Sequence, residues 1–563
     1  MNMLTKQAAP TPEQVFAEYE KGIRFKNRLG VRGMYEQNRI NERFYVGDQW
    51  YGVHCGNDRP LVRYNVIKRI GEYKQSVVGA APVAVNYSAD GVPDTESTRR
   101  QVEALRRRLT DGEEPAAVLA EAEGDTGTQL MMSALSDYFR TTAERVNLDG
   151  IRDRALQNAY TTGTGIVYTY WDERVPTGQV AADGRTPIKG DIACEVLDVE
   201  QVYFGDPTTE EVQEQPYILI AQRRRVEELQ RLALRCGVSR EDVKNIRPDR
   251  RDGEQPDGKA TVLTRFWKAW NEDGTRFEVM AQQVCRGVTV RPAWRLGVRL
   301  YPLAKFNWES RRGCAYGESE IPYLIPNQIA INRAMTAGVW ATMVMGMPIM
   351  VVNGDVVTGP ITNDPGQILQ VYGSGEDVDR AVRYVTPPAV NGQFGAAVSN
   401  LVNNTLAGAG INSTMLGDVQ PDNTSAIIAV REAALMPLTM VQNRFYRFVE
   451  EIARQWAEFW VCHYGQRALR VNTGDGVWYL PFDGKRFADR LIRARVDVGV
   501  ASLFGEVESI ATLGNLYDRG IIDEVQYLTR LPKGIVPNLD GLIRERKAAL
   551  AAKEVVETGE LVA

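Results

Sequence analysis

Histidine is nearly absent from this chain, with His54 and His463 the only two in 563 residues. Proton transfer near neutral pH most often runs through imidazole, so this scarcity argues against His-based catalysis. The six cysteines (Cys55, Cys194, Cys236, Cys285, Cys314 and Cys462) are scattered with no Cys-x-x-Cys pair. That pattern suggests neither a disulfide framework nor a zinc site, and it suits a reducing cytosol. No Gly-x-x-x-x-Gly-Lys-Ser/Thr loop occurs, which argues against an ATP-driven motor. No Gly-x-Ser-x-Gly elbow or His-Glu-x-x-His helix is present either. Acidic residues are plentiful but lie mostly on charged helix faces, and no spacing singles out a carboxylate metal site. A carboxylate- and metal-dependent nuclease therefore stays open as an alternative. A basic excess is also missing: 67 basic residues stand against 72 acidic ones, a net charge of -5. A DNA-coating protein carries the opposite balance, whereas a protein that DNA passes without sticking does not need it. The opening MNMLTKQAAPTPEQ is polar and Pro-interrupted, unlike a secretory signal.

Charge is missing most conspicuously from Ala334 to Gly354, AMTAGVWATMVMGMPIMVVNG. Its length suits a bilayer span of about 20 residues, so a membrane-associated channel is a second alternative. Its content suits one poorly, with two Thr, three Gly and Pro348 in place of dense Leu, Ile and Phe. Upstream, Glu318, Ser319 and Glu320 are expected to open a helix, with acids at its positive end. Ile321, Leu324, Ile325, Gln328, Ile329, Asn332, Met335 and Val339 then recur at three- and four-residue steps. That is one face of a long helix that becomes apolar or small all round, as a helix buried in a large protein or an assembly does.

The length allows two to four domains. Pro12 to Phe44 reads as charged helix, followed by an aromatic cluster (Phe44, Tyr45, Trp50, Tyr51) around the Gly47-Asp48 turn, expected to form a small core. Asn65 is the expected N-cap of a helix over Val66–Val78, with Gly79 and Pro82 ending it. Asp90 to Gln129 is highly charged and short of large apolar residues, and reads as a surface insertion or helical hairpin whose Arg106-Arg107-Arg108 forms a solvated face. Residues 130–160 are expected to be helical. Strand patterns follow from Gly165, through Ile188–Ile220 and over 261–308, with a short amphipathic helix in RRRVEELQRLALRCG. Asp355–Gln393 is punctuated by Gly and Pro, with β patterns in QILQVY and AVRYVTPP. A helix near Ala397–Leu406 leads into the polar loop GAGINSTMLGDVQPDNTS. A long helix over Ser425–His463 buries Leu435, Leu438, Val441, Phe445, Phe448, Ile452, Trp456 and Phe459, with a kink expected at Pro437. Two short helices hinged at Gly520 and a solvated helical tail close the chain.

The order of these pieces resembles the portal (head-to-tail connector) proteins of tailed double-stranded DNA bacteriophages. The likeness is carried by NERFYVGDQW, RPLVRYNVIKRIGEYKQSVVGAAP, DGIRDRALQNAYTTGTGIVYTYWD, PLAKFNWESRRGCAYGESEIPYLIPNQIAINR and GNLYDRGIIDEVQYLTRLP. None of these motifs is catalytic; their order and spacing over nearly the whole chain carry the match. The resemblance implies an α+β fold assembled as a ring, usually of twelve copies, around a DNA channel at one capsid vertex. It implies a mixed α/β wing over 1–316 and a first stem helix over 317–346. A small β-containing clip over 347–388 and a second stem helix over 389–407 follow. Next come a channel loop over 408–424, a kinked wing helix with following strands over 425–501, and a helical crown over 502–563.

The same resemblance implies a virion protein, present in the host cytoplasm during assembly, that is not an enzyme and needs no cofactor or metal. Its implied partners are further copies of itself, the terminase large subunit, a major capsid or scaffold protein, a head-completion or tail adaptor, and the passing DNA; no membrane is implied. The loop 408–424 contains no Lys or Arg, and each such contact with phosphate would add salt-dependent grip. Its Asn412, Ser413, Thr414 and Asn423 are the candidate DNA contacts, touching backbone without base readout. Met335, Val339, Ala341 and Met345 are the candidate contacts between stem helices of neighbouring copies; Met is suited to such adaptable packing.

Overall fold

The computed structural model describes residues 9–53, 60–80, 83–92, 95–110, 113–122, 124–180, 187–249, 257–270, 274–345, 349–358, 370–373, 382–385, 393–411, 424–473, 476–487 and 490–497. Towards the C-terminus it describes 510, 513–531, 539, 541–543 and 545–546. The fold is α+β. The first helices are α1 (Pro12–Arg28), α2 (Met34–Val46), α3 (Val66–Gly79), α4 (Glu96–Thr110), α5 (Pro115–Glu121), α6 (Gly124–Val146) and α7 (Leu148–Thr162). Later ones are α8 (Val226–Arg235), α9 (Arg240–Lys244), α10 (Ile321–Met345), α11 (Gln393–Gly408), α12 (Thr424–His463) and α13 (Glu524–Arg530). The strands are β1 (Ala84–Ala89), β2 (Thr164–Val180), β3 (Pro187–Leu197), β4 (Val202–Phe204), β5 (Ile218–Arg225), β6 (Lys259–Trp270), β7 (Phe277–Cys285) and β8 (Val288–Arg295). They continue as β9 (Leu303–Asn307), β10 (Ile349–Val352), β11 (Val357–Thr358), β12 (Gln370–Val371), β13 (Val382–Val385), β14 (Gln466–Thr473), β15 (Gly476–Asp483) and β16 (Ile492–Asp497). The chain divides into two compact units: Met1–Asn38 with Lys74–Glu320 and Leu435–Ala563, and Arg39–Tyr73 with Ile321–Ala434.

In the first unit, β4 to β8 form an antiparallel meander in chain order, and β2 is central in a second sheet ordered β3-β2-β9. Helix α1 lays Val15 against Tyr203, Leu219, Leu263 and Val284 of the meander. Helix α8 closes another part of it with Val226, Leu229 and Ala233 against Ala260, Val262 and Val288. The C-terminal part of α12 is the core helix. Its Phe445, Phe448, Ile452, Trp456 and Trp460 are fully buried, and their rings meet Phe306 of β9, Phe139 of α6 and Tyr87 of β1 at 4.9–6.0 Å between centroids. Seven of the eight expected apolar positions of this helix are buried, from Leu438 to Phe459; the side chain of Leu435 lies outside the described residues. Pro437 is inside the helix.

Two expectations need correction here. The helix expected from Pro12 to Phe44 is two helices. The break follows from Gly33 at φ +82°, where an added Cβ would meet the Asn27 carbonyl oxygen at 2.6 Å. Residues 130–160 likewise split at Asn147, which takes the left-handed conformation and caps α7 by accepting from the Gly150 N–H. The charged insertion forms the helical pair α4 and α5, as expected; it buries Val102, Leu109 and Val118, keeps Arg107 exposed, and has all three arginines ion-paired. Arg106 meets Asp137, Arg107 meets Glu103, and Arg108 meets Glu113 and Glu121.

At the end of the first unit's N-terminal portion, two backbones touch. An added Cβ on Gly163 would stand 2.6 Å from the Gly317 carbonyl oxygen, and one on Gly317 would stand 2.4 Å from the Gly163 oxygen. The Gly317 N–H donates to Thr164 Oγ1 and the Trp308 N–H to the Gly163 oxygen. This contact closes the turn from α7 into β2 against the segment leading to α10, which begins at Ile321, one residue after the expected acidic opening.

In the second unit, α10 clasps an extended segment. Thr336 Oγ1 accepts from the Val62 N–H, Asn332 Oδ1 from the Tyr64 N–H, and Gln328 Oε1 from the Val66 N–H. Gln328 Nε2 returns a bond to the Tyr64 oxygen. The geometry matches because four helical residues rise about 6.0 Å while two extended residues advance about 6.6 Å. Trp50 Nε1 donates to the Val62 oxygen from the other side. Phe44, Tyr45 and Trp50 are buried around the turn while Tyr51 is exposed beneath Arg43, which is the small core expected there. Asn65 caps α3 through the Lys68 N–H.

Candidate assembly site

The charge-free run divides into two structures. Its first part completes α10 and its last part is β10, which pairs antiparallel with β13 from Ile349↔Val385 to Val352↔Val382. The sequence reading placed no strand in the run. β11 and β12 form a second small pair.

Along α10, burial stops within the run. Ile321, Leu324, Gln328, Ile331, Asn332 and Thr336 are buried, whereas Val339 is 40% and Met343 53% exposed. Met335 and Ala341 are half-buried. Met345 is the last helical residue, and its side chain lies outside the described residues. Sequence periodicity put Gln328, Asn332 and Val339 on one packing face. The structure makes Gln328 and Asn332 backbone ligands and leaves Val339 at the surface.

Helix α11 packs against α10 within this unit. It belongs to a second charge-free stretch, Tyr384 to Gly417, which the sequence reading passed over although it is longer than the first. It begins four residues before the expected Ala397 and ends two after Leu406. Thr405 is buried and Val402 and Leu406 line a small cavity beside Tyr64 and Arg69, while Asn400, Asn403 and Asn404 are exposed. The candidate DNA contacts Asn412, Ser413, Thr414 and Asn423 lie outside the described residues, and the buried Ala409 and Ile411 mark where the described chain stops.

His463 is stacked on Trp171 at 4.9 Å between ring centroids, and burial holds its pKa below the usual imidazole value. His54 lies outside the described residues. Burial pushes the Cys194 thiol up to about 11 and that of Cys285 to about 12, so neither is an activated nucleophile. Among the described residues no group of His, Cys, Asp and Glu could hold a metal ion, and no helix is long and apolar enough to cross a membrane. Lys26 is a fully buried charge of the first unit: its Nζ donates to the Val199 and Glu200 oxygens and stands 3.7 Å from the centre of the Tyr203 ring.

No protein-family model matches the chain, and no curated protein matches it.

Proposed function

We propose that this chain is a portal protein of a tailed double-stranded DNA bacteriophage, a subunit of a ring through which a separate terminase packages DNA and through which DNA later leaves. The observation that carries this reading is the pair of adjoining helices in the second unit, the C-terminal half of α10 and α11. Both are free of charge, and both leave apolar or small side chains at the surface. A surface-exposed helix in a monomer is normally charged on its outer face. Burying Val339, Met343 and their neighbours against further copies would contribute about 1.5–3 kcal/mol for each large apolar side chain.

On this reading α10 and α11 are the two stem helices, and β10 to β13 belong to the clip that docks terminase and adaptor. The long α12 is the wing helix, and the helical region after 502 is the crown. The loop 408–424 lines the channel, its lack of Lys and Arg favouring passage over grip. The partners are further copies of the chain, terminase, a capsid or scaffold protein and an adaptor, in a virion. The subunit performs no catalysis of its own.

Negative-stain imaging and native mass measurement of the purified full chain test this reading. Closed rings with a central opening as wide as duplex DNA are expected. A chain that stays monomeric at high concentration, or that cleaves DNA in the presence of magnesium, would overturn it.

A further inference from the structure

The first unit contains a cavity of about 1860 Å³ that the channel reading leaves unused. Its walls come from α4 and α6, the β1–β16 ribbon and the middle of α12. The ribbon pairs Asn86 with Arg495 and Ser88 with Arg493, and these four alternate with the buried Val85, Tyr87, Ala494 and Val496. Pairing is therefore what sets both arginines on the exposed face of the ribbon.

The charges lining the cavity are unequally spent. Each of its four carboxylates has a donor: Asp137 takes Arg106, Glu103 takes Arg107, Glu458 takes Arg299, and Glu450 accepts the Val496 N–H. Arg493 is held by Asp90. Among the described residues Arg454 and Arg495 make no ion pair within 4.0 Å, Arg454 acting on Glu451 only at longer range, and both line the cavity. An exposed apolar side chain, Leu491, lies beside them, with Leu300 and Val92 also in the wall.

The volume exceeds the roughly 300–1,000 Å³ of small-molecule sites, which points to a polymer. Nucleic acid held without base pairing needs exposed aromatic platforms. The aromatic ring in this wall is Tyr87, which is buried and donates its hydroxyl to the Ala453 oxygen. Strand addition is blocked as well, because the ribbon's Tyr87 N–H is taken by Ser136 Oγ and its Val496 N–H by Glu450. We infer that this cavity binds an acidic amphipathic peptide segment of a partner protein, with carboxylates on Arg454 and Arg495 and apolar side chains on Leu491 and Leu300.

The site is separate from the assembly helices, so its test does not depend on ring formation. A short fluorescein-labelled peptide of Glu and Leu at helical spacing is titrated with the full-length chain and followed by anisotropy. The expected result is saturable, salt-sensitive binding that weakens at least about tenfold in the Arg454→Gln/Arg495→Gln double variant, with the secondary structure of the double variant unchanged by circular dichroism. Leu491→Ser is expected to weaken it a few-fold with its charges intact. No binding by the parent chain, equal binding by the double variant, or equal binding of a Lys and Leu peptide would overturn the proposal. Tighter binding of single-stranded oligothymidylate than of the peptide would overturn it in favour of a nucleic-acid site.

Discussion

Gln328 Nε2 donates to Asn332 Oδ1 at 3.0 Å, one turn apart on α10, and both side chains are 1% exposed. The pair serves the backbone of another segment: Gln328 takes the Val66 and Ile67 N–H groups, and Asn332 takes that of Tyr64 while donating to Gln49 Oε1. Two amides on a helix that reads as an apolar stripe are thus committed to holding the chain between the aromatic turn and α3.

Gln328→Leu should therefore destabilise the second unit by about 3 kcal/mol or more, since it strands two buried N–H groups and one carbonyl at about 1–3 kcal/mol for each buried group. Denaturant unfolding checks the loss. Hydrogen exchange checks the location, because the Val66 amide should lose protection while the amides of β6 keep theirs.

Gly317→Ala should be more severe than its single methyl suggests. The added Cβ meets the Gly163 and Glu309 carbonyl oxygens at 2.4 and 2.8 Å and the Asn307 Cβ at 2.8 Å, and backbone yields only by displacing the segment it belongs to. A loss of about 3 kcal/mol or more is expected from overpacking, read as a lowered melting temperature. Gly354→Ala, where an added Cβ meets nothing within 4 Å among the described residues, should leave it unchanged.

Glu451 gives the first unit a pH dependence. Burial, offset in part by Arg454 and Lys305, raises its carboxyl from 4.5 to about 7. The folded state then binds a proton that the unfolded state releases above about pH 4.5. The stability it contributes is present below that value and is lost as pH rises through about 7. At about 1.4 kcal/mol for each pK unit, Glu451→Gln should gain on the order of 3 kcal/mol over the parent at pH 8 and match it at pH 4. Thermal melts across that range decide the matter.

Ala341→Glu should leave the subunit folded and abolish rings. The position is half-buried in the uncharged half of α10, and an unpaired carboxylate in an interface costs several kcal/mol. Sedimentation would show the subunit alone. Normal rings from this variant would mean that the run faces something other than its own copies.

Long periodic elements were legible in the sequence, and short-range exceptions were not. Phe445, Phe448, Ile452 and Trp456 announce α12 because an unbroken apolar spacing has one structural solution. The breaks before α2 and α7 were missed because they rest on one or two left-handed residues, Gly30 and Gly33 in the first and Asn147 in the second, inside otherwise helical composition. The strand β10 was missed because Ile349–Val352 is apolar in both readings, and its partner β13 lies more than 25 residues away. Gln328 and Asn332 sit at correct helical spacing, so periodicity found them. It could not say that their amides serve another backbone, since that depends on where residues 62–66 run. The uncharged character of α11 was visible in the letters and was passed over because asparagine and serine hide it from a hydropathy reading.

The clasp of α10 on residues 62–66 works like a vernier. Each rung sets about 6.0 Å of helix against about 6.6 Å of extended chain, so about 0.6 Å of misfit accumulates per step. The fourth rung would bring Trp340 to Pro60, a residue with no N–H to offer. The helix is tethered over its first half and released from that duty one turn later. Its remaining turns are free to answer to a different partner without loosening the subunit that carries them.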